Sequence, residues 1–157
     1  MLGIGDFYYE LAVQIVEICF SMRAETGGLL EMSSLLSKLK KMRGTESQIT
    51  EEDVERSIRT LEPLGSGYEI IKMNTRTFIQ SVPREFSQDQ GNLLRKASER
   101  GGRVNFQVFS STDNWTKERF ENTVESLLSE GLIWVDSKTK TGQCDYWIAS
   151  FSVSVSL

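Results

Sequence analysis

Between Asp6 and Arg23 the polar residues Asp6, Glu10, Gln14, Glu17 and Ser21 recur at spacings of four, four, three and four, a single narrow stripe at helical period. The other positions, from Phe7 and Tyr8 through Leu11 to Phe20, are almost all apolar or small. A helix wet along one stripe needs neighbours on its remaining sides, so the pattern predicts a central, enclosed helix. Thr26-Gly27-Gly28 ends it, since glycine accepts the left-handed backbone found after helix C-termini. Leu29-Leu30 then predicts a very short strand. A second helix is expected over Met32 to Met42, with Leu35, Leu36 and Leu39 on one side and Lys38, Lys40 and Lys41 on the other. Thr50 followed by Glu51, Glu52 and Asp53 reads as an N-cap with acids in the positive first turn of a third helix. Val54, Ile58 and Leu61 give that helix its buried face. Pro63 and Gly65 break it, and Tyr68–Met73 with Arg76–Val82, joined through Asn74-Thr75, predict a β-hairpin.

The same order then recurs. Leu93, Leu94 and Ala97 mark a helix that stops at Gly101-Gly102, Arg103-Val104 a short strand, and Phe106, Val108 and Phe109 a brief second helix. Thr116 opens a third, whose Phe120, Val124 and Leu127 stand at a constant offset of 66 from Val54, Ile58 and Leu61. Gly131 ends it, and Leu132–Asp136 with Cys144–Ile148 form a second hairpin around Lys138 to Gly142. Helix, glycine pair, short strand, two helices and a two-stranded wing is the winged-helix variant of helix-turn-helix architecture. The predicted class is α+β, mainly helical, with two tandem winged-helix domains at 1–83 and 84–157 meeting near Pro83. Domains this small are marginal alone, so each is expected to pack against another surface.

A winged helix raises DNA binding, because its third helix commonly enters the major groove. The charges oppose it. Thr50 to Glu62 holds Glu51, Glu52, Asp53, Glu55 and Glu62 against Arg56 and Arg59, and Thr116 to Glu130 holds four glutamates against Lys117 and Arg119. Affinity for DNA comes from neutralising phosphates with Lys and Arg. The whole chain is also net −4. A DNA-binding transcriptional regulator therefore stands as the alternative reading, and no nucleic acid is expected as a partner. The cluster Lys38, Lys40, Lys41 and Arg43, like Lys138 and Lys140 in the second wing, reads as solvated surface, with contact to acidic lipid or a nucleic acid as the alternative.

There is no histidine in the chain, which removes the commonest neutral-pH acid/base and the commonest metal ligand. Cys19 and Cys144 stand 125 residues apart, so neither a zinc cluster nor a disulfide framework is indicated, and a reducing cytosolic setting is the default. The apolar run Leu11–Phe20 is interrupted by Gln14 and Glu17 and falls short of the ~20 residues that span a bilayer. Carboxylate pairs such as Glu51-Glu52 are explained by helix capping, and Gly27-Gly28, Gly65-Ser66-Gly67 and Gly101-Gly102 lack the lysine and spacing of a phosphate loop. Cys19 reads as a core residue. The expectation is a protein with no catalytic residues, no metal and no cofactor.

An interaction surface is indicated instead. In Leu132-Ile133-Trp134-Val135-Asp136, alternation puts Leu132, Trp134 and Asp136 on one face and Ile133 and Val135 on the other. Both faces are apolar, though a domain this small has one core to fill. Tyr146 and Ile148 are likewise opposed to Trp147, and the tail Phe151-Ser152-Val153-Ser154-Val155 also alternates. Excess Trp and Tyr point to a protein-binding surface, where Asp136 could orient a partner's arginine. The other open reading has Trp134 and Trp147 closing their own core or packing on the other domain, with Asp136 a turn residue. Phe7, Tyr8 and Tyr9 cannot all face one core, so at least one is expected to meet another domain or subunit.

Leu2-Gly3-Ile4-Gly5-Asp6-Phe7-Tyr8-Tyr9-Glu10-Leu11, then Gly27-Gly28-Leu29, Ser81-Val82-Pro83, Gly131-Leu132 and Tyr146-Trp147, resemble the Vps twenty-two (EAP-thirty, SNF-eight) family of ESCRT-II subunits over essentially the whole chain. The resemblance implies tandem winged helices in a non-catalytic, Y-shaped endosomal complex that sorts ubiquitinated membrane cargo into multivesicular bodies. It implies a small Vps twenty-five-type subunit on the second winged helix, its proline- and aromatic-rich segment in an apolar groove and its arginine on Asp136. It implies a Vps thirty-six-type subunit on the first. It also implies a cytoplasmic protein recruited to the endosome membrane only through the assembled complex. Family members carry a helical region before the Leu-Gly-x-Gly motif that forms a coiled coil and aids membrane attachment. The start at Met1-Leu2-Gly3 implies a shortened form, from which membrane binding is not expected.

Overall fold

The computed structural model describes the chain except for residues 1, 2, 45, 66, 137–142 and 152–157 and the side chain of Ile4. The readings of Leu2, of Ser66, of Lys138 and Lys140 in the second wing and of the alternating tail past Phe151 fall outside the described residues. The chain divides into two compact units. One takes in the residues up to Ala24, Gly28–Lys72 and Arg76–Pro83; the other takes in Glu25–Gly27, Met73–Thr75 and the residues from Arg84 onward.

In the first unit, helix α1 (Ile4–Ser21) starts two residues before the expected Asp6. Asp6 is instead the third helical residue, and its carboxylate accepts from the Gly3 N–H at 3.2 Å, satisfying a donor that the helix start leaves orphaned. After α1 comes a single turn, α2 (Arg23–Thr26). Helices α3 (Met32–Arg43) and α4 (Glu51–Leu61) both pack on α1. Thr50 caps α4 in a reciprocal box: its hydroxyl accepts from Asp53 N at 3.2 Å, and its own N–H donates to the Asp53 carboxylate at 3.0 Å. The periodic triad Val54, Ile58 and Leu61 is buried, as are Leu11, Ile15 and Ile18 of α1, on which α4 packs. Strands β1 (Leu29–Glu31), β2 (Glu69–Met73) and β3 (Arg76–Gln80) form an antiparallel-paired sheet in the order β1-β3-β2, with Leu29 opposite Gln80 and Glu31 opposite Phe78. Buried Glu31 is neutralised by Arg76 at 2.7 Å, which removes the cost of an unpaired interior charge.

The enclosed central helix is not what forms. Leu11, Ala12, Ile15, Ile18 and Cys19 are buried, but Tyr9, Val13 and Phe20 are 56%, 42% and 68% exposed. The two helices packed on α1 cover one side of it, and Tyr9 with Val13 and Phe20, four and eleven residues further on, forms a second, exposed stripe.

The second unit holds helices α5 (Gln88–Glu99), α6 (Phe106–Thr112) and α7 (Lys117–Ser129) and strands β4 (Arg103–Val104), β5 (Ile133–Asp136) and β6 (Asp145–Ile148), in sheet order β4-β6-β5. Phe120, Val124 and Leu127 are buried, as the offset of 66 requires. Leu132 was expected in the wing strand and lies just before it. Its N–H donates to Leu127 O at 3.0 Å, closing the exit of α7, so the chain is still leaving the helix there. Cys144 likewise precedes β6. Each unit runs helix, short strand, two helices, hairpin: the fold is two tandem winged helices.

The glycine pairs have one physical reason in both units. Gly28 sits at φ +86°, where a Cβ would lie 2.5 Å from Val82 Cγ2; Gly102 sits at φ +95°, where a Cβ would lie 2.6 Å from the Phe151 ring. Each lets a side chain that follows the wing lie flat on the backbone. Gly101, at φ +75°, has nothing within 4 Å of its Cβ position. Gly101→Ala is therefore expected to lower stability by about 1–2 kcal/mol from backbone strain alone. Gly102→Ala should cost a further ~1–3 kcal/mol from overpacking. Urea denaturation checks this, and equal losses in the two variants would contradict the Phe151 contact.

Candidate protein-binding surface

The wing of the second unit pairs Ile133 with Ile148, Trp134 with Trp147, Val135 with Tyr146 and Asp136 with Asp145. On the other side of β6, Arg103 pairs with Trp147 and Val104 with Tyr146. Because side chains alternate across a strand, Arg103, Trp147 and Trp134 form one row across three strands on the sheet's outer face. Trp134 is 45% exposed, Trp147 half-buried, and Asp136 exposed at the end of β5. The Arg103 guanidinium lies 5.7 Å from the Trp147 ring centre. Asp145, buried, holds it from behind at 3.8 Å and accepts from Asn105 Nδ2 at 3.1 Å. Asn105 is also the N-cap of α6, its carbonyl oxygen accepting from Val108 N at 3.2 Å. The start of α6 thus fixes Asn105, Asn105 fixes Asp145, and Asp145 helps place the cation over Trp147.

On the opposite face Val104, Ile133 and Ile148 are buried, while Val135 at the far end of the wing is 51% exposed. Tyr146 meets Phe120 edge-on at 5.8 Å, and Phe120 also contacts Phe106 at 5.6 Å and Phe109 at 5.5 Å. Partial burial raises the Tyr146 phenol above its ordinary pKa. Beside this cluster runs a groove of about 370 Å³ with Phe106, Phe120 and Tyr146 as its aromatic wall and Lys117, Glu121 and Cys144 at its mouth. The indole that fills the core is Trp115, 6% exposed and 4.5 Å from Phe109, under the Arg119 guanidinium at 4.4 Å. Arg119 in turn makes a bidentate pair with Asp89 at 2.7 and 3.0 Å, which holds the Asp89 carboxyl below the usual range and ties α7 to the first turn of α5.

The sequence profile of the EAP30/Vps36 family matches residues 2–137. The chain belongs to that family. Vacuolar-sorting protein SNF8 of Xenopus tropicalis is 40% identical over 149 residues, covering 94% of this chain and 57% of the relative. Its counterpart in Dictyostelium discoideum is 40% identical over 152 residues, covering 96% and 61%. Vacuolar protein sorting-associated protein 22 homolog 1 of Arabidopsis thaliana is 39% identical over 153 residues, covering 97% and 61%. A crystal structure of the endosomal complex ESCRT-II (VPS22/VPS25/VPS36) contains a chain that superposes with a TM-score of 0.80 at 26% identity, over 94% of this chain and 66% of that one. A structure of the ESCRT-II endosomal trafficking complex superposes with a TM-score of 0.79. This EAP30/Vps36-family chain thus spans less than two thirds of the length of these relatives.

In this family member the other candidate residues, Phe7 and Tyr8, lie in the first unit and are engaged there. Their rings meet edge-on at 5.1 Å. The Tyr8 hydroxyl donates to Asp53 Oδ1 at 3.4 Å and accepts from Arg56 Nη1 at 3.3 Å, while Arg43 lies 5.3 Å from the Phe7 ring centre. They fasten α1 to α4 and α3, and it is Tyr9 that faces outward. Sequence reasoning passed over Arg103, Trp115 and the groove residues Phe106 and Phe120. A two-residue strand has no periodicity to read, so Arg103 becomes visible only through its register with Trp147. Among the described residues no group of three Cys, Asp or Glu side chains is placed to hold a metal ion, and no helix is long and apolar enough to cross a membrane.

The two thiols differ in kind. Burial pushes Cys19 up to about 12, whereas Cys144 is exposed at the groove mouth. A maleimide at neutral pH is expected to label Cys144 in the native protein and Cys19 only after unfolding; mass spectrometry of the labelled peptides checks this. Equal labelling of both would contradict the packing of α1.

Proposed function

We propose that this chain is a non-catalytic scaffold subunit of an ESCRT-II-type complex. It would act in the endosomal sorting of ubiquitinated membrane proteins into multivesicular bodies, as a cytoplasmic protein brought to the membrane within the assembly. The observation that carries the reading is the outer row Arg103–Trp147–Trp134 ending in Asp136. It is a rigid aromatic and charged surface on a sheet whose own core is filled by other residues. Trp anchors of this kind dominate binding energy at protein interfaces. Family membership and the likeness to chains of ESCRT-II support it.

In this reading the second winged helix holds a small Vps25-type subunit. Trp134 and Trp147 bury apolar surface, Asp136 pairs with an arginine of that subunit, and the aromatic groove beside Tyr146 receives its proline- and aromatic-rich segment, as extended proline-rich chains dock on aromatic walls. The first winged helix, with Phe7 and Tyr8 bracing the start of α1, holds the Vps36-type subunit. The acids of α4 and α7 argue against duplex DNA as a ligand: Glu52 and Glu55 already occupy Arg56 and Arg59, and Glu121 occupies Lys117.

Calorimetry of the chain with the purified small subunit tests this. Asp136→Ala is expected to weaken binding by about 2–5 kcal/mol, the cost of stranding a desolvated partner charge. Trp134→Ala should weaken it by at least ~2 kcal/mol. Circular dichroism should be unchanged in both. Wild-type affinity in both variants would remove the surface from the interface.

A further inference from the structure

The first unit carries a groove where its helix α4 and wing meet, of about 530 Å³. This is where winged helices that read DNA present a helix and a wing to the duplex. Here the floor is apolar: Ile58 is 4% exposed, and Tyr68 and Ile70 are half-buried. Three carboxylates line it, Glu55, Glu62 and Glu69, against two cations, Arg59 and Lys72. Both cations lean on the same carboxylate, at 4.0 and 3.8 Å from Glu55. Among the described residues Glu62 and Glu69 make no ion pair. Glu62 is moreover the C-cap of α4, so its charge adds to the negative end of the helix dipole where a cation is favoured. The second unit does not repeat this: at the offset of 66, Arg59 becomes Glu125 and Glu62 becomes Leu128.

We infer that this groove docks a basic segment of a partner polypeptide, an apolar side chain on Ile58 and Ile70 flanked by Lys or Arg on Glu62 and Glu69. Charge complementarity selects the occupant. The carboxylates repel phosphates and acidic chains, and the apolar floor rewards a cationic segment that also carries an aliphatic anchor. The site is separate from the surface on the second wing and stands or falls independently of it.

The probe is a fluorescein-labelled peptide with Arg and Lys on both sides of a Leu-Ile centre, compared with the same peptide carrying Glu in place of the cations. Anisotropy with the full chain is expected to show saturable binding of the cationic peptide only. Glu62→Lys with Glu69→Lys should weaken it at least tenfold, and Ile70→Ser should weaken it as well. The affinity for the small subunit that depends on Asp136 should not change. If the charge-reversed chain fails to fold, amide shifts of the wild-type chain decide the matter, with perturbations expected at Ile58, Tyr68 and Ile70. Undiminished binding by the folded double variant, equal binding of the acidic peptide, absence of saturation, or shifts confined to other residues would overturn the proposal.

Discussion

The second winged helix is organised by the packing of aromatic rings around Phe120. Phe106 and Phe109 reach it from α6 and Tyr146 from the wing, each at 5.5 to 5.8 Å, and Trp115 extends the cluster from Phe109. Rings of this size bury the most area per residue, and their tilted and edge-on geometries restrict the angles at which helices and sheet can meet. Once Tyr146 is committed to that cluster, strand alternation leaves Trp147 no choice of face, and the register with β5 carries Trp134 outward with it. The outer row is thus a consequence of how the inner face is filled. Trp115 is the indole placed inside, while Trp147 is half-buried and Trp134 exposed on the outer face.

Charge does for partner choice what packing does for shape. Winged helices share a geometry in which a helix and a hairpin flank a groove, and the sign of the side chains there decides what can enter. In the first unit the groove is acidic over an apolar floor; in the second the wall beside the wing is aromatic, with one lysine and one glutamate at its mouth. Among the described residues neither offers the run of Lys and Arg that neutralising a phosphate backbone demands. Both offer what polypeptides bind: desolvated rings or aliphatic carbons bordered by a few oriented charges.

The element order was readable because each signal had a local physical cause. Thr50 and Thr116 cap helices through their own hydroxyls, the triads Val54/Ile58/Leu61 and Phe120/Val124/Leu127 follow helical period, and the glycine pairs sit at positive φ. Where the reading failed, the cause was not local. The single polar stripe of α1 is compatible both with enclosure and with a second apolar face left open, and only the number of helices available to cover it decides; Tyr9, Val13 and Phe20 are open. Of the triplet Phe7-Tyr8-Tyr9, Tyr9 is the member left exposed. Which member faces out depended on Asp53, Arg56 and Arg43, which lie 36 to 48 positions from the rings they meet.

By itself the sequence determined the alternation of helices and hairpins, the duplication, the caps and the absence of histidine chemistry, because those follow from period, residue type and backbone preference over a few neighbouring positions. The tertiary structure decided which of three tryptophans is buried, that Arg103 stands in line with Trp147 and Trp134, and that Glu62 and Glu69 border one groove with Ile58 and Ile70 beneath them. Those outcomes depend on strand register and on which volumes remain to be filled once the helices have met. No stretch of chain carries that information alone, since each is a property of residues brought together from separate elements.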